Sequence, residues 1–395
     1  MVNKAIYGML VASLLWYEKF CKDLEGFGFE FNPYDPCVAN KMVNGNQHTI
    51  RFHVDDVMSS HMDPKVNDEF HDWLNQNYGS LGEVSSLRGK KHDYLGMNFD
   101  FSIPGHLVLD MIPYVKAMCD DFEEESGIKL GKSKVPAPAN LLDRGKGPKV
   151  DSKLAELYHT YVMKAMYLCK RARPDIEPSI AILCTRVKDP IEDDWRKFLQ
   201  MMKYLNATKT VKKYMSIDNP AIVKWYVDAS YAVHPDFKSH TGGVMTQGNG
   251  SIITVSRKQK MNTTSSTEAE LVATHDCLPG IMWTLRFLEA QGTPLQENIL
   301  FQDNQSTILL ENNGKKSSSR RTRHFHIRYF YLTDLIEKGE VQVKYCPTED
   351  MLGDYMTKPL QGELFEKHFK SLMGSPPSGT QSAQECVGGT GSPSF

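Results

Sequence analysis

The chain has no Cys-x-x-Cys pair. Its eight cysteines stand at positions 21, 37, 119, 169, 184, 277, 346 and 386, a scatter that excludes zinc as a partner and argues against a disulfide scaffold. Reduced thiols in an intracellular compartment are the expectation. No run approaches the roughly 20 apolar residues needed to cross a bilayer, so no membrane is expected as a partner. The apolar residues 5–16 follow Lys4, but no small-residue cleavage site comes after them. Tyr17, Glu18 and Lys19 continue a helical pattern, so an ordinary helix is expected rather than a signal peptide. Nor is one sign of charge in excess: 46 Lys and Arg face 48 Asp and Glu, net −2, so any pull toward nucleic acid must be local. What remains is an ordinary globular composition, 41% hydrophobic and 24% charged over 395 residues, with room for two or three domains.

Residues 225–230, WYVDAS, read as a half-buried strand. Val223, Trp225 and Val227 fall on one side at period two, and Lys224, Tyr226 and Asp228 on the other. A carboxylate on such a strand is costly to desolvate unless it is paired, capped or bound to a cation. Asp228 therefore needs partners from elsewhere in the chain.

Residues 6–30 read as an amphipathic helix ending near Gly26 and Gly28, with a turn at Asp35 and Pro36. In RFHVDDVMSS (51–60), Phe52, Val54 and Val57 surround the adjacent pair Asp55 and Asp56. Two carboxylates at a strand turn can hold Mg²⁺, but Asp-rich hairpin tips are common, and alone the surface turn is the better reading. The order IYGMLVASLLWYEK, DPC at 35–37, HVDD, DYLGM at 93–97 and RARPDI at 171–176 resembles the reverse transcriptase of Ty1/copia-type retrotransposons from mid-palm onward. His53 stands where that family has a tyrosine, and LVASL (10–14) replaces a polar, basic stretch. The match begins past the fingers and past the palm strand that would carry a third metal-binding aspartate, so Asp55 and Asp56 are expected to be a vestigial polymerase metal site. Two adjacent carboxylates cannot hold both ions of an in-line displacement. The chain alone is expected not to extend a primer, and Mg²⁺-dependent synthesis abolished by Asp55→Asn would refute this.

Residues 132–150, rich in Lys, Pro and Gly, read as a linker joining the palm and thumb remnant (1–131) to a helical segment. In that segment, residues 151–218, helical periodicity runs over 152–215, with helices over 154–168, 180–187 and 195–205, and the resemblance makes it the helical connection. Lys203, Lys209, Lys212 and Lys213 are as readily a solvated face as phosphate contacts.

After Pro220 the signal is clearest. WYVDAS, GGVMTQG (242–248) and SIITVSRKQ (251–259) read as an antiparallel meander with short turns. TSSTEAELVA (264–273) opens a helix. ENILFQDNQSTILLE places Asp303 between a strand and a helix. A helix over 322–338, a strand VQVKY (341–345) and a short helix holding Asp354 complete a mixed sheet. Asp228, Glu270, Asp303 and Asp354 are separated by 42, 33 and 51 residues, so only the fold can join them. Each also has a plain structural role open to it: Thr267-x-x-Glu270 as a capping box, Asp303 as an N-cap, Asp354 as a partner of a helix dipole.

Together, YVDAS, SSTEAEL, FQDNQS and YCPTEDMLGDYMTKPL resemble the four motifs of the Ty1/copia ribonuclease H domain, over roughly residues 222–360. The resemblance implies an RNase H-like mixed five-stranded sheet with helices (219–374) in an α/β chain, and Asp228, Glu270, Asp303 and Asp354 as catalytic metal ligands. It implies two Mg²⁺ ions, with Mn²⁺ as the substitute, and hydrolysis of the RNA strand of an RNA/DNA hybrid. Hard oxygen ligands suit such ions. Asp228 is the expected bridge between them, and bound metal is expected to stabilise the fold.

Beside Asp303, Asn304, Gln305 and Ser306 are equally suited to reading a 2′-hydroxyl or to capping a helix. The basic run from Lys315 and Lys316 through Arg320, Arg321 and Arg323 to His324 carries five Lys or Arg in nine residues and suits phosphate contacts. His324 and His326 suit a phosphate contact or a helix cap, and the family usually has an acid where His326 stands. Pro279 and Gly280 are expected to interrupt the helix begun at Thr267, exposing the packing of Trp283, Leu285 and Leu288 on the sheet to damage. Residues 362–373 read as a helix and 375–395 as a disordered tail.

The expected partners are the hybrid and the rest of a retroelement polyprotein or capsid particle, in the cytoplasm or nucleus. The rival is a catalytically silent remnant that at most binds nucleic acid. A third expectation is a fragment of a longer polyprotein in which RNA-directed DNA polymerase activity resides.

Overall fold

The computed structural model describes residues 9–314 and 330–377. Two compact units divide them: Met1–Leu95 with Met282–Pro294, and Gly96–Ile281 with Leu295–Phe395.

In the first unit, helix Leu10–Gly26 packs on a four-stranded antiparallel meander of Glu30–Asn32, Asp35–Val43, Asn46–His53 and Asp56–Ser60. Phe20, Leu24, Phe29, Ile50, Phe52 and Phe70 form its core. The expected turn lies one step earlier, since Asp35 already opens a strand and its carboxylate accepts the Cys37 N–H at 2.9 Å. Asp55 sits on the hairpin tip beside Val54, whose φ is +57°, and Asp56 opens the next strand; both acids are exposed. Among the described residues, neither joins two other carboxylate, His or Cys ligands.

In the second unit, helices Ile112–Ser126, Ser152–Cys169, Glu177–Cys184 and Glu192–Ala207 pack around Phe122, Tyr158, Tyr161 and Phe198. The helical pattern predicted through 215 stops at 207, and Lys213–Ile217 is a strand. The Pro- and Gly-rich residues 132–150 are tied to this bundle: Arg186 donates to the Leu141 and Leu142 carbonyls, and Ser179 to that of Pro136.

The second sheet comprises β1 (Ile222–Ser230), β2 (His240–Thr246), β3 (Ile253–Lys258), β4 (Glu297–Gln302) and β5 (Gln342–Tyr345), in the order β3-β2-β1-β4-β5. β1, β2 and β3 run antiparallel, while β4 is parallel to β1 and β5 to β4. This is the expected mixed five-stranded sheet, with one difference: nine residues, not a short turn, join β1 to β2. Because β1 and β4 are parallel, their carboxyl ends share one edge, where Asp228 and Asp303 lie.

Helix α1 (Ser266–Ala290) runs through Pro279 without interruption. An internal proline removes one backbone hydrogen bond, a cost the burial of Cys277, Leu278 and Ile281 offsets. Gly280 serves packing, because a Cβ there would come 3.2 Å from the Trp225 ring. Near the end of α1, Trp283 stacks on Phe287 at 4.8 Å and donates to the Tyr34 carbonyl at 2.8 Å, all within the first unit. Helices α2 (Gln305–Asn313), α3 (Phe330–Glu337), α4 (Asp354–Thr357) and α5 (Gly362–Met373) complete the unit. Of the helix predicted over 322–338, residues before 330 lie outside the described ones, as do 378–395 of the predicted tail. No described helix is long and apolar enough to cross a membrane.

Candidate metal centre

Four elements deliver the four acids. Asp228 is on β1, paired with Gly242 of β2, and only 2% exposed. Short helix α4 lies over this point because both contact residues are glycines. A Cβ on Gly242 would sit 2.5 Å from the Thr357 methyl and 2.7 Å from the Gly353 carbonyl, and one on Gly353 would sit 3.0 Å from Asp228 Cβ. Gly242→Val is therefore expected to lift α4 and cost roughly 1–3 kcal/mol in urea unfolding, with Asp354 displaced.

A clamp from the helical connection seats α4 from behind. Arg173 holds Asp175 with two bonds, at 2.9 and 2.7 Å. Tyr204 donates to the Asp175 carboxylate at 2.7 Å, and Tyr355 of α4 donates to the Asp175 carbonyl at 3.0 Å. Glu177 meanwhile accepts the Ser256 N–H of β3 at 3.0 Å. Sequence reading used RARPDI only as a landmark. No period or spacing in that charged stretch marks the pair as buried.

The capping roles open to the acids fall to neighbours. At the start of α1, Ser265 caps the Glu268 N–H at 3.2 Å and Glu268 takes the Thr264 N–H at 2.6 Å, so the box is two residues earlier than predicted and Glu270 is free of it. Asn304, not Asp303, caps α2, accepting from the Ser306 and Thr307 amides at 3.0 and 3.2 Å. Asn304 thus caps the helix, and Gln305 and Ser306 are exposed. Asp354 opens α4.

Asp228, Asp303 and Asp354 each offer an oxygen within 4.8 Å of the others. Thr357 donates to Asp228, Thr348 donates to Asp303 at 3.1 Å, and Lys358 pairs with Asp354 at 2.6 Å. Glu270 lies outside that triad, but Asp228 and Asp303 are close enough to raise its pKa. Its Oε2 is buried with no hydrogen-bond partner. Burial pushes Asp228 up to about 6, against the pull of Lys358. Burial and then Asp228 hold Glu270 well above, and Asp303 above, the usual carboxylate range. Burial also raises Asp354, with Lys358 opposing. Lys315, Lys316, Arg320, Arg321, Arg323, His324 and His326 lie outside the described residues.

The donor set fits a hard divalent cation. It is all carboxylate, its oxygens converge, one is an orphan, and each acid is destabilised in its charged form by burial and by the others. A cation there would relieve all four at once.

No protein-family model matches the chain. It is 26% identical over 380 residues to the Retrovirus-related Pol polyprotein from transposon TNT 1-94 of Nicotiana tabacum, covering 92% of this chain and 27% of that protein. The Pol polyprotein from transposon RE1 of Arabidopsis thaliana is also 26% identical, over 94% of this chain and 25% of its own length. A transposon Ty5-1 protein of Saccharomyces cerevisiae is 25% identical over 68% of this chain and 84% of itself. A crystal structure of Prototype Foamy Virus protease-reverse transcriptase aligns with 91% of this chain and 40% of its own at TM-score 0.26 and 14% identity, too weak to support any argument. The chain spans about a quarter of the length of the Pol polyproteins it matches, and what it is similar to throughout is the Pol polyproteins of Ty1/copia-type retrotransposons.

Proposed function

We propose that the unit built on β1–β5 is a divalent-metal-dependent ribonuclease H that hydrolyses the RNA strand of RNA/DNA hybrids. The observation that carries this reading is the convergence of Asp228, Asp303 and Asp354 from β1, the end of β4 and α4, with Glu270, whose Oε2 has no hydrogen-bond partner, beside them. Asp228, Asp303, Asp354 and Glu270 would hold two Mg²⁺ or Mn²⁺ ions. Bound there, such ions supply charge to the attacking and leaving oxygens of a phosphodiester and acidify the attacking water.

The protein's share is placement. Thr357 and Thr348 orient the Asp228 and Asp303 carboxylates by hydrogen bonds. Burial of Asp228, Glu270 and Asp354 keeps water from competing for their oxygens. Half-buried Asp303 marks the open side from which a substrate strand approaches.

The test is cleavage of a labelled RNA/DNA hybrid by the purified full chain. Cleavage with Mg²⁺ and none with EDTA is expected. Intact RNA under both conditions would leave only a nucleic-acid-binding remnant.

A further inference from the structure

Lys358 follows α4 directly, four residues after Asp354, so its side chain returns to the same face. Its ammonium lies 2.6 Å from Asp354 Oδ1 and 3.8 Å from Asp228 Oδ2. The side chain is 39% exposed, whereas the two carboxylates are nearly fully buried. It thus enters from solvent and places a cation against two of the three converging acids.

We infer that Lys358 is a resident counter-cation. It neutralises Asp354 and Asp228 while no metal is bound, and it yields them to an entering divalent ion and pairs instead with a substrate phosphate. This rests on the proposed metal-binding reading.

One positive charge, set against Asp354 and Asp228, cannot balance the three carboxylates whose oxygens converge here. A divalent ion brings twice the charge to the same oxygens, and the two cations cannot share them. The exchange costs the fold little, because the lysine stem is unbranched and the side chain is already partly exposed. A strand laid over Asp303 puts a phosphate where the released ammonium would otherwise have no anion.

The test uses the full chain as wild type, Lys358→Met and Lys358→Arg. Calorimetric titration with Mn²⁺ should show Lys358→Met binding about tenfold more tightly than wild type, because the competitor is gone. Lys358→Arg, with a planar fork that grips a carboxylate in two places, should bind more weakly than wild type. Affinity for an uncleavable 2′-O-methyl-RNA/DNA hybrid at saturating metal should lose about one unit of log–log salt slope in Lys358→Met.

Equal or weaker metal affinity in a folded Lys358→Met, or equal or tighter affinity in Lys358→Arg, overturns the inference and leaves the metal centre standing. An unchanged salt slope overturns the transfer to phosphate. Absence of Mn²⁺ binding by all three proteins overturns the metal centre itself.

Discussion

Asp228→Asn is expected to lower hybrid cleavage by roughly two to three orders of magnitude, and at the same time to stabilise the metal-free chain at pH 7. The first effect follows from removing a charged oxygen at the point where the triad meets. The second follows from linkage. The Asp228 pKa is raised by burial from 3.8 to about 6, so the folded chain holds a proton that the unfolded chain releases. Stability is full below about pH 4 and falls as pH rises through 6. Asparagine, uncharged throughout, does not incur this loss, worth on the order of 2–3 kcal/mol. Urea unfolding in EDTA at pH 5 and pH 7 reads the gain, which should be larger at pH 7. With Mg²⁺ the order should invert, since the wild type gains a bound ion and the variant does not. Wild-type cleavage by the variant would remove Asp228 from the site, and a variant less stable in EDTA at pH 7 would refute the electrostatic account.

Glu311→Gln is expected to stabilise the second unit above neutral pH. Glu311 sits on α2, 1% exposed, where the Thr274 hydroxyl only partly opposes the effect of burial. Burial pushes it from 4.5 up to about 8. Folding therefore takes up a proton between pH 4.5 and 8, and stability declines across that window. At pH 7 the decline is roughly 3 kcal/mol, and Gln, of the same shape and without charge, avoids it. Thermal unfolding in EDTA should show a steeper fall from pH 5 to 8 in wild type than in the variant. Parallel curves would mean that Glu311 finds a stronger partner in solution. Cleavage should be little changed, because Glu311 is not one of the four acids at the metal centre.

The fold after Pro220 was legible because its strands alternate cleanly and its breaks carry Gly and Pro. Residues 362–373 were read as a helix and form one, and the three-strand meander pairs as expected. The acids were legible through resemblance, since nothing local separates Asp303 from an N-cap or Glu270 from a capping box. Pro279 misled for a physical reason: proline's cost is local, whereas the burial that offsets it comes from residues distant in the chain. Trp283 misled similarly, because the last residues of helix α1 belong to the other unit. The buried Arg173–Asp175 pair and Glu311 carried no period or spacing that would mark them as buried.

The sequence by itself determined the residue types of the centre and the strands and helices that carry them, because periodicity, turn chemistry and motif order are properties of short stretches. Only the tertiary structure decided which oxygens meet. Asp228 and Asp354 are adjacent because Gly242 and Gly353 lack side chains and let α4 settle on β1. Asn304 and Glu268 take the capping bonds that would have occupied Asp303 and Glu270. Lys358 lies where a cation belongs because one helical turn returns it to Asp354. Convergence of that kind depends on packing between segments far apart in the chain, and no short stretch encodes it.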